Sequence, residues 1–188
     1  MGAVRVSPFG IWRNRTIDPT GSDTTGFQGY DGIYADTRLW VQNGWLDYIA
    51  PQLYWKMDDS KAAYTHLLPW WAKAAAGTGT ALYIGQAAYR LNPTAADPVW
   101  RDPTELLTHM GYNRSYPQGS GDIWFDTTHF LTSSPNLSEA RAANLYRRPA
   151  LVPASARIPG FAPPPPCHIH ADASTGKCHS LGLAPRVR

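Results

Sequence analysis

The chain has 188 residues, 43% of them hydrophobic, and a formal net charge of +3. This length suffices to bury one sizeable core, and the charged fraction of 16% is below the ~25% of an average soluble domain. Because the basic residues are scattered and no run of about 18 apolar residues occurs, the sequence indicates neither a nucleic-acid-binding face nor a membrane span.

Four short strand patterns alternate with helical patterns in the first 152 residues. The strands are predicted near residues 3–7, 46–50, 81–85 and 121–126. Apolar periodicity predicts helices at residues 34–43, 61–76 and 140–147, and another from Asp102 through Met110. Strands and helices in strict alternation predict a parallel sheet with right-handed crossovers. The predicted fold class is therefore α/β.

Two of these helices contain residues that constrain the backbone. Pro69 lies inside the helix at 61–76 and is expected to kink it or divide it in two. The sequence Asp102, Pro103, Thr104, Glu105 has the features of a helix start, with an N-cap carboxylate, a proline in the first turn and an acid shortly after it.

The loops that follow the strands carry most of the polar and aromatic residues. Pro51 ends the second strand, because proline cannot donate to a sheet ladder, and Gln52, Tyr54 and Trp55 come directly after it. The first strand is followed by a polar loop at residues 15–32, whose length favours a lid or a binding loop. Side chains gathered after parallel strands are typical of the mouth of a (β/α)8 barrel.

The chain contains half of the units that such a barrel requires. A (β/α)8 barrel has eight strand–helix units in about 250 residues, whereas four units are predicted here within residues 1–159. The sequence therefore predicts a partial (β/α)8 (TIM) barrel. Its two unpaired sheet edges favour association, so a homodimer that covers them is a further expectation.

Residues 160–188 differ in composition from the rest of the chain. A proline run at 163–166 precedes a stretch without periodicity, which predicts a disordered C-terminal tail. The spacing of its cysteines and histidines matches no standard zinc pattern, so neither a metal site nor a cofactor is predicted. The residues concerned are Cys167, His168, His170, Cys178 and His179.

Several blocks of sequence, in one order along the chain, resemble the glycosyl-hydrolase-like family 10, also called DUF187. The blocks lie at residues 7–14, 21–24, 34–38, 44–55, 70–71, 82–85, 113–114 and 149–153. The resemblance covers only the second half of the family's catalytic domain. It implies a (β/α)8 barrel, export, and hydrolysis of bacterial cell-wall glycan strands. The family's first four strands, with an Asp-Asp-Tyr segment expected to supply an acid, have no counterpart here.

The start of the chain gives a different indication about its location. Residues 1–6 enter a strand directly and lack the charged and apolar regions of a signal peptide. Taken literally, this predicts a cytoplasmic chain, whereas the family is usually exported.

Two aspartates are the predicted catalytic residues, since glycoside hydrolysis generally uses a pair of carboxyl groups. Asp36 lies at the start of a helix, where backbone N–H groups favour an anion. Asp126 follows the fourth strand, at the position of catalytic residues in barrels. The alternative for Asp36 is a stabilising contact at the helix start, and for Asp126 a capping hydrogen bond.

The remaining candidates are predicted to bind sugar rings, hydroxyls or acidic groups of a glycan. Glycan pockets of this kind are mostly apolar with a few placed polar groups. The predicted binding residues are Trp12, Arg13, Asn14, Asp23, Gln52, Tyr54, Trp55, Gln86, Tyr89 and Arg90. Asp23 has a turn-forming role as its alternative. Core packing is expected for Trp40, Trp45, Trp70, Trp71 and Trp124.

Two functions are compatible with this pattern. The first is part of a cell-wall glycosidase that is active only within a complete barrel. The second is a non-catalytic remnant that binds glycan through its aromatic and amide side chains.

Overall fold

The computed structural model describes residues 4–132, together with the backbone of residues 170–171 and 178–179. The chain divides into two units, Met1–Ser155 and Ala156–Arg188. The predicted helix at 140–147, the predicted boundary at residue 159 and most of the predicted tail lie outside the described residues. In the second unit, strands β5 (His170–Ala171) and β6 (Cys178–His179) pair antiparallel.

The first unit contains a four-stranded parallel sheet. Its strands are β1 (Arg5–Val6), β2 (Tyr48–Ile49), β3 (Ala81–Ala87) and β4 (Gly119–Phe125). They lie in the order β1-β2-β3-β4, and every neighbouring pair is parallel. This confirms the prediction of an α/β fold with parallel strands, an arrangement compatible with part of a (β/α)8 barrel.

The helices follow the strands along the chain. They are α1 (Gly29–Ile33), α2 (Thr37–Gln42), α3 (Tyr64–Ala75), α4 (Thr104–Asn113) and α5 (Thr127–Thr132). Short 3-10 turns occupy Ala88–Arg90 and Pro98–Trp100. The helices α2 and α3 lie where the periodicity placed them, with narrower bounds, and α4 begins two residues later and ends three residues later than predicted. The helices α1 and α5 were not predicted, because five or six residues are too few to show a period.

The two backbone expectations had different outcomes. Helix α3 runs through Pro69 as one helix, so of the two expected outcomes, a kink or a division, the division is wrong. Proline removes one hydrogen bond, whereas buried Leu67 and Trp71 anchor the helix on either side of it. At α4, Asp102 Oδ1 accepts a hydrogen bond from the backbone N–H of Thr104 at 2.8 Å. The N-cap of α4 is Pro103, so the prediction of Asp102 at the N-cap is wrong by one residue, although its carboxylate bonds the first backbone N–H of the helix.

The hydrophobic core lies between the sheet and the helices. Side chains alternate between the two faces of a strand, so Leu82 and Ile84 of β3 are buried with Leu67 and Trp71 of α3. The other face carries Tyr48 and Tyr83, whose ring centroids are 5.0 Å apart. In residues 4–132, the described helices cover one face of the sheet.

One of the tryptophans expected in the core lies on the surface. Trp45 is 56% exposed, because it follows the turn at Gly44, whose φ of 61° directs the chain away from α2. Trp71 is fully buried, as predicted. Among the described helices, none is long and apolar enough to cross a membrane.

Candidate functional site

The candidate site lies at the carboxyl edge of the sheet. Because all four strands are parallel, the segments after them meet at one edge, which is where α/β proteins bind ligands. Isolated bridges from Phe9 to Gln52 and from Gln52 to Gly85 continue the pairing beyond β1 and β2. The segments after the first two strands are therefore held against β3.

Two glycines permit this close approach. A Cβ atom at Gly10 would lie 2.4 Å from the carbonyl oxygen of Gln52, and one at Gly85 would lie 2.9 Å from that of Pro51. Any side chain at these positions would push the loops apart. The glycines thus set the distance between the loops that carry Gln52, Tyr54 and Trp55.

Three aromatic rings from three different segments meet at this edge. Tyr54 follows β2, Tyr89 follows β3, and Phe125 ends β4. The ring centroids of Tyr54 and Tyr89 are 5.8 Å apart, those of Tyr54 and Phe125 6.1 Å, and those of Tyr89 and Phe125 5.9 Å. We call these three residues the aromatic cluster. Tyr89 is 38% and Phe125 54% exposed, so the cluster presents apolar rings to solvent.

The phenol of Tyr54 is neutral at physiological pH. Burial of its ring, together with the nearby Tyr89, raises the pKa of Tyr54 to about 12. A neutral phenol both donates and accepts a hydrogen bond, which suits recognition of sugar hydroxyls.

Asp126 follows Phe125, the residue of the aromatic cluster that ends β4. Its Oδ1 accepts a hydrogen bond from the backbone N–H of His129 at 3.0 Å, and its Oδ2 lies 2.9 Å from His129 Nδ1. These hydrogen bonds lower the pKa of Asp126. The carboxyl group is therefore ionised at neutral pH, a state that suits a base or a nucleophile rather than a proton donor.

Trp12 and Asp36 contact each other within the helix layer. Trp12 is 5% exposed, and its ring stacks on Trp70 with centroids 5.7 Å apart. Its Nε1 donates to Asp36 Oδ1 at 3.0 Å. The same oxygen accepts from the backbone N–H of Leu39 at 3.1 Å, which makes Asp36 the N-cap of α2. Both side chains are thus engaged in packing and capping.

Arg13 and Asn14 hold the loop between β1 and α2. The guanidinium of Arg13 donates two hydrogen bonds of 3.0 Å to Asp31 and one of 3.1 Å to Asp18. Asn14 is buried, and its side-chain amide donates to the carbonyl of Gly26 at 2.9 Å. The polar groups of these two residues are therefore satisfied by the loop itself.

Asp23 and Arg90 lie on exposed parts of the loops. Asp23 Oδ2 is 3.6 Å from Arg15 Nη1, and both side chains are more than half exposed, so the pair is weak. The guanidinium of Arg90 lies 5.1 Å from the ring centroid of Trp100. Neither contact brings these residues to the aromatic cluster.

Gln86 is inside the protein rather than on a loop. The strand β3 extends to Ala87, two residues beyond the predicted end, so Gln86 lies within it on the helix side and is fully buried. Its Nε2 donates to Tyr64 Oη at 3.0 Å and to Asp122 Oδ1 at 2.8 Å. The prediction that Gln86 lies on a loop is therefore wrong.

Gln86 belongs to a buried polar network between the sheet and α4. The imidazole of His109 stacks on Tyr64, with centroids 3.8 Å apart and planes at 12°, and its Nδ1 is 3.2 Å from Gln86 Oε1. Tyr64 Oη donates to Asn113 Oδ1 at 2.6 Å. Glu105, one turn before His109, accepts from the backbone N–H of Met57 at 2.6 Å. The network thus ties α4 to the loop after β2.

Gln52 and Trp55 lie close to the aromatic cluster along the chain. Gln52 Nε2 donates to the carbonyl of Ser7 at 3.2 Å, and the Trp55 ring meets Phe9 edge-on at 5.4 Å. Of the predicted site residues, the structure joins Tyr54 with Tyr89, and Asp126 follows Phe125 of the cluster in the chain. The sequence analysis missed Phe125 and His129.

In residues 4–132, no group of three or more His, Cys, Asp or Glu is placed to hold a metal ion.

The sequence of this chain is similar to that of known hydrolases. Residues 3–102 match the profile of the family described as glycosyl hydrolase-like 10. Glycosyl hydrolase YngK of Bacillus subtilis (strain 168) is 41% identical over 162 residues, which are 86% of this chain and 32% of YngK. Glycosyl hydrolase DigH of Escherichia coli (strain K12) is 48% identical over 124 residues, which are 64% of this chain and 28% of DigH.

The chain spans about a third of the length of these curated relatives. The family profile nevertheless matches more than half of its residues, in agreement with the resemblance found in the sequence. The chain therefore belongs to the glycosyl hydrolase-like 10 family.

Proposed function

We propose that this chain is part of a glycoside hydrolase that acts on bacterial cell-wall glycan strands or a related polysaccharide. The observation that carries the proposal is the aromatic cluster of Tyr54, Tyr89 and Phe125 at the carboxyl edge, with Asp126 next to it. Flat, partly exposed rings bind the apolar faces of sugars, and the carboxyl edge of a parallel sheet is the usual location of catalytic groups.

Asp126 is the proposed catalytic carboxylate of this chain. Its lowered pKa supports a role as nucleophile or base, which leaves the role of proton donor to a second carboxyl group. Asp36 was the other candidate, but its bonds to Trp12 and to the start of α2 fit a stabilising role better. We propose that the proton donor comes from the part of a longer protein that this chain does not include.

A non-catalytic glycan-binding function is the second candidate. It is favoured by an assembled aromatic cluster whose neighbouring carboxylate in sequence, Asp126, is already engaged by hydrogen bonds with His129. In this alternative the cluster binds sugar, and no bond is broken.

The experiment compares the 188-residue chain with a longer version that completes the eight strand–helix units. Both are assayed for binding to, and hydrolysis of, purified cell-wall glycan strands. We expect the chain alone to bind without measurable turnover and the longer version to hydrolyse the strands. Binding without turnover by both would favour the second candidate. Rapid hydrolysis by the chain alone would show that no proton donor from outside this chain is needed.

Variants of the aromatic cluster test the location of the site. Replacing one ring by alanine removes about 1–2 kcal/mol of apolar contact, so Tyr89→Ala or Phe125→Ala is expected to weaken glycan binding about tenfold. Trp45→Ala is the matched control, since Trp45 is an exposed aromatic residue that precedes β2 and so lies at the opposite edge. Equal losses in all three variants would contradict the proposed site.

A further inference from the structure

A groove on the helix layer has the composition of a binding site that the proposed function does not use. It lies between α2, α3 and residues 15–21 and has a volume of about 570 Å³. The residues that matter here are Arg15, Thr20, Arg38, His66, Trp70 and Lys73. We call it the cationic groove. It shares no residue with the aromatic cluster.

Positive charge predominates among the side chains that line the groove. Among the described residues that line it, none is Asp or Glu. Arg38 and Lys73 take part in none of the ion pairs found in residues 4–132, and Arg15 has only the long contact of 3.6 Å with Asp23. Positive side chains gathered in a cleft raise the local concentration of anions.

Two of the groove side chains are held in place before any ligand arrives. Arg38 Nη1 donates to Thr20 Oγ1 at 2.7 Å, and its guanidinium lies 5.0 Å from the ring centroid of Trp12. These contacts use one of the five guanidinium donors. Trp70 Nε1 donates to the carbonyl of Thr20 at 2.8 Å, which fixes its half-buried ring. Such preorganisation reduces the entropy lost on binding.

The groove is long compared with a single ion. His66 and Lys73 are seven residues apart on α3, which corresponds to about 10 Å along a helix. A lone phosphate would fill only a part of this length. An extended chain would reach the cations and the Trp70 ring together.

We propose that the cationic groove binds an extended anionic chain that carries phosphate or carboxylate groups. Arg38 and Lys73 pair with the anionic groups, and Trp70 provides an apolar surface for the units between them. This assignment does not depend on the catalytic role proposed for the carboxyl edge.

Binding to the full 188-residue chain tests the proposal. The probes are a glycerol-phosphate hexamer, a galacturonate hexamer, inorganic phosphate and a neutral maltohexaose, titrated by calorimetry at 50 mM and 500 mM salt. We expect one anionic hexamer to bind, at least tenfold more tightly than maltohexaose and at least tenfold more weakly at the higher salt. The preferred hexamer identifies the anionic group.

Charge variants locate the binding. Lys73→Gln and Arg38→Gln are expected to weaken the preferred hexamer about fivefold each, whereas Lys73→Arg retains binding. Lys61→Gln is the matched control, because Lys61 is exposed and does not line the groove. Lys73 is exposed and takes part in none of the ion pairs found in residues 4–132, so its variant stays informative even if Arg38→Gln is unstable.

Three results would overturn the proposal. In the first, neither anionic hexamer binds. In the second, Lys73→Gln leaves the affinity for the preferred hexamer unchanged. In the third, inorganic phosphate binds as tightly as the hexamer. The last result would show that the groove takes a single anion rather than a chain.

Discussion

The indole Nε1 of Trp12 donates a hydrogen bond to Oδ1 of Asp36 at 3.0 Å, across 24 positions of sequence. Since Trp12 is buried and Asp36 also caps α2, one carboxylate oxygen fixes both the loop after β1 and the helix that follows. These contacts favour a stabilising role of Asp36 over a catalytic one.

Asp36→Ala is expected to destabilise the chain by about 2–3 kcal/mol, because it removes an N-cap and leaves the indole N–H of Trp12 unpaired. Asp36→Asn retains an acceptor oxygen and is expected to cost less than about 1 kcal/mol. Urea unfolding measures both. If Asp36→Asn folds normally but abolishes hydrolysis by the longer version, Asp36 is catalytic and our interpretation of it is wrong.

Asp126→Asn is expected to lower kcat of the longer version by about 10²–10⁴-fold, the usual contribution of a proton-transfer group. His129→Ala provides a finer test. The hydrogen bonds from His129 lower the pKa of Asp126, and the side-chain bond is lost in this variant. The acid limb of the kcat/KM profile should then move to higher pH. An unchanged profile, or full activity in Asp126→Asn, would exclude Asp126 from the chemistry.

Gly10→Ala is expected to destabilise the chain by about 1–3 kcal/mol, the typical cost of overpacking. Its Cβ would lie 2.4 Å from the carbonyl oxygen of Gln52 and 2.8 Å from the ring of Trp55. Gly111→Ala is the control, since nothing lies within 4 Å of its Cβ and alanine stabilises a helix interior by about 0.5–1 kcal/mol. Thermal unfolding measures the stability of both variants. Equal changes in melting temperature for Gly10→Ala and Gly111→Ala would contradict the close approach at Gly10.

The stability of the chain is expected to fall as the pH drops below about 6.5. Burial lowers the pKa of His109, so below the ordinary value the unfolded chain takes up a proton that the folded chain does not. The free energy of unfolding falls by at most about 1.4 kcal/mol per pH unit. The fall continues until the pH reaches the lowered pKa of His109 in the folded chain. Glu105, on the same helix, and Asp122, on β4, oppose the shift without reversing it.

Urea unfolding at pH 7.5 and 5.5 measures this effect. The control is His109→Gln, in which the difference between the two pH values should shrink, because His66 and His129, the other histidines of residues 4–132, are exposed. A difference that is the same in both proteins would show that His109 is not its source.

The sequence was sufficient to predict the parallel sheet and the edge at which the aromatic cluster forms. Pro8 and Pro51 mark the strand ends, and alternation with helices determines the strand direction. Which loop residues remain open to a ligand was not predictable. Arg13 was assigned to binding from its position, but Asp18 and Asp31, its partners, are polar residues whose pairing depends on the folded loop.

Gln86 and Phe125 show the same limit at a finer scale. The strand β3 is two residues longer than its apolar pattern predicts. Gln86 therefore lies within the strand, on the side that faces the helices, and not on the loop. Phe125 ends a strand in which Ile123 and Phe125 share the face opposite the helices, and its contacts with Tyr54 and Tyr89 make it part of the aromatic cluster. These facts depend on contacts between segments distant in sequence.

The parallel pairing of the sheet also affects how the chain folds. Its registers join Arg5 with Tyr48, Tyr48 with Ala81, and Leu82 with Gly119, so each strand pair closes a loop that contains a helix. Loop closure is entropically unfavourable until both strands are in place, and such non-local contacts slow folding. We therefore expect the long β3–β4 pair to form early and the two-residue β1 to dock last, which makes the β1 end of the sheet the first to open.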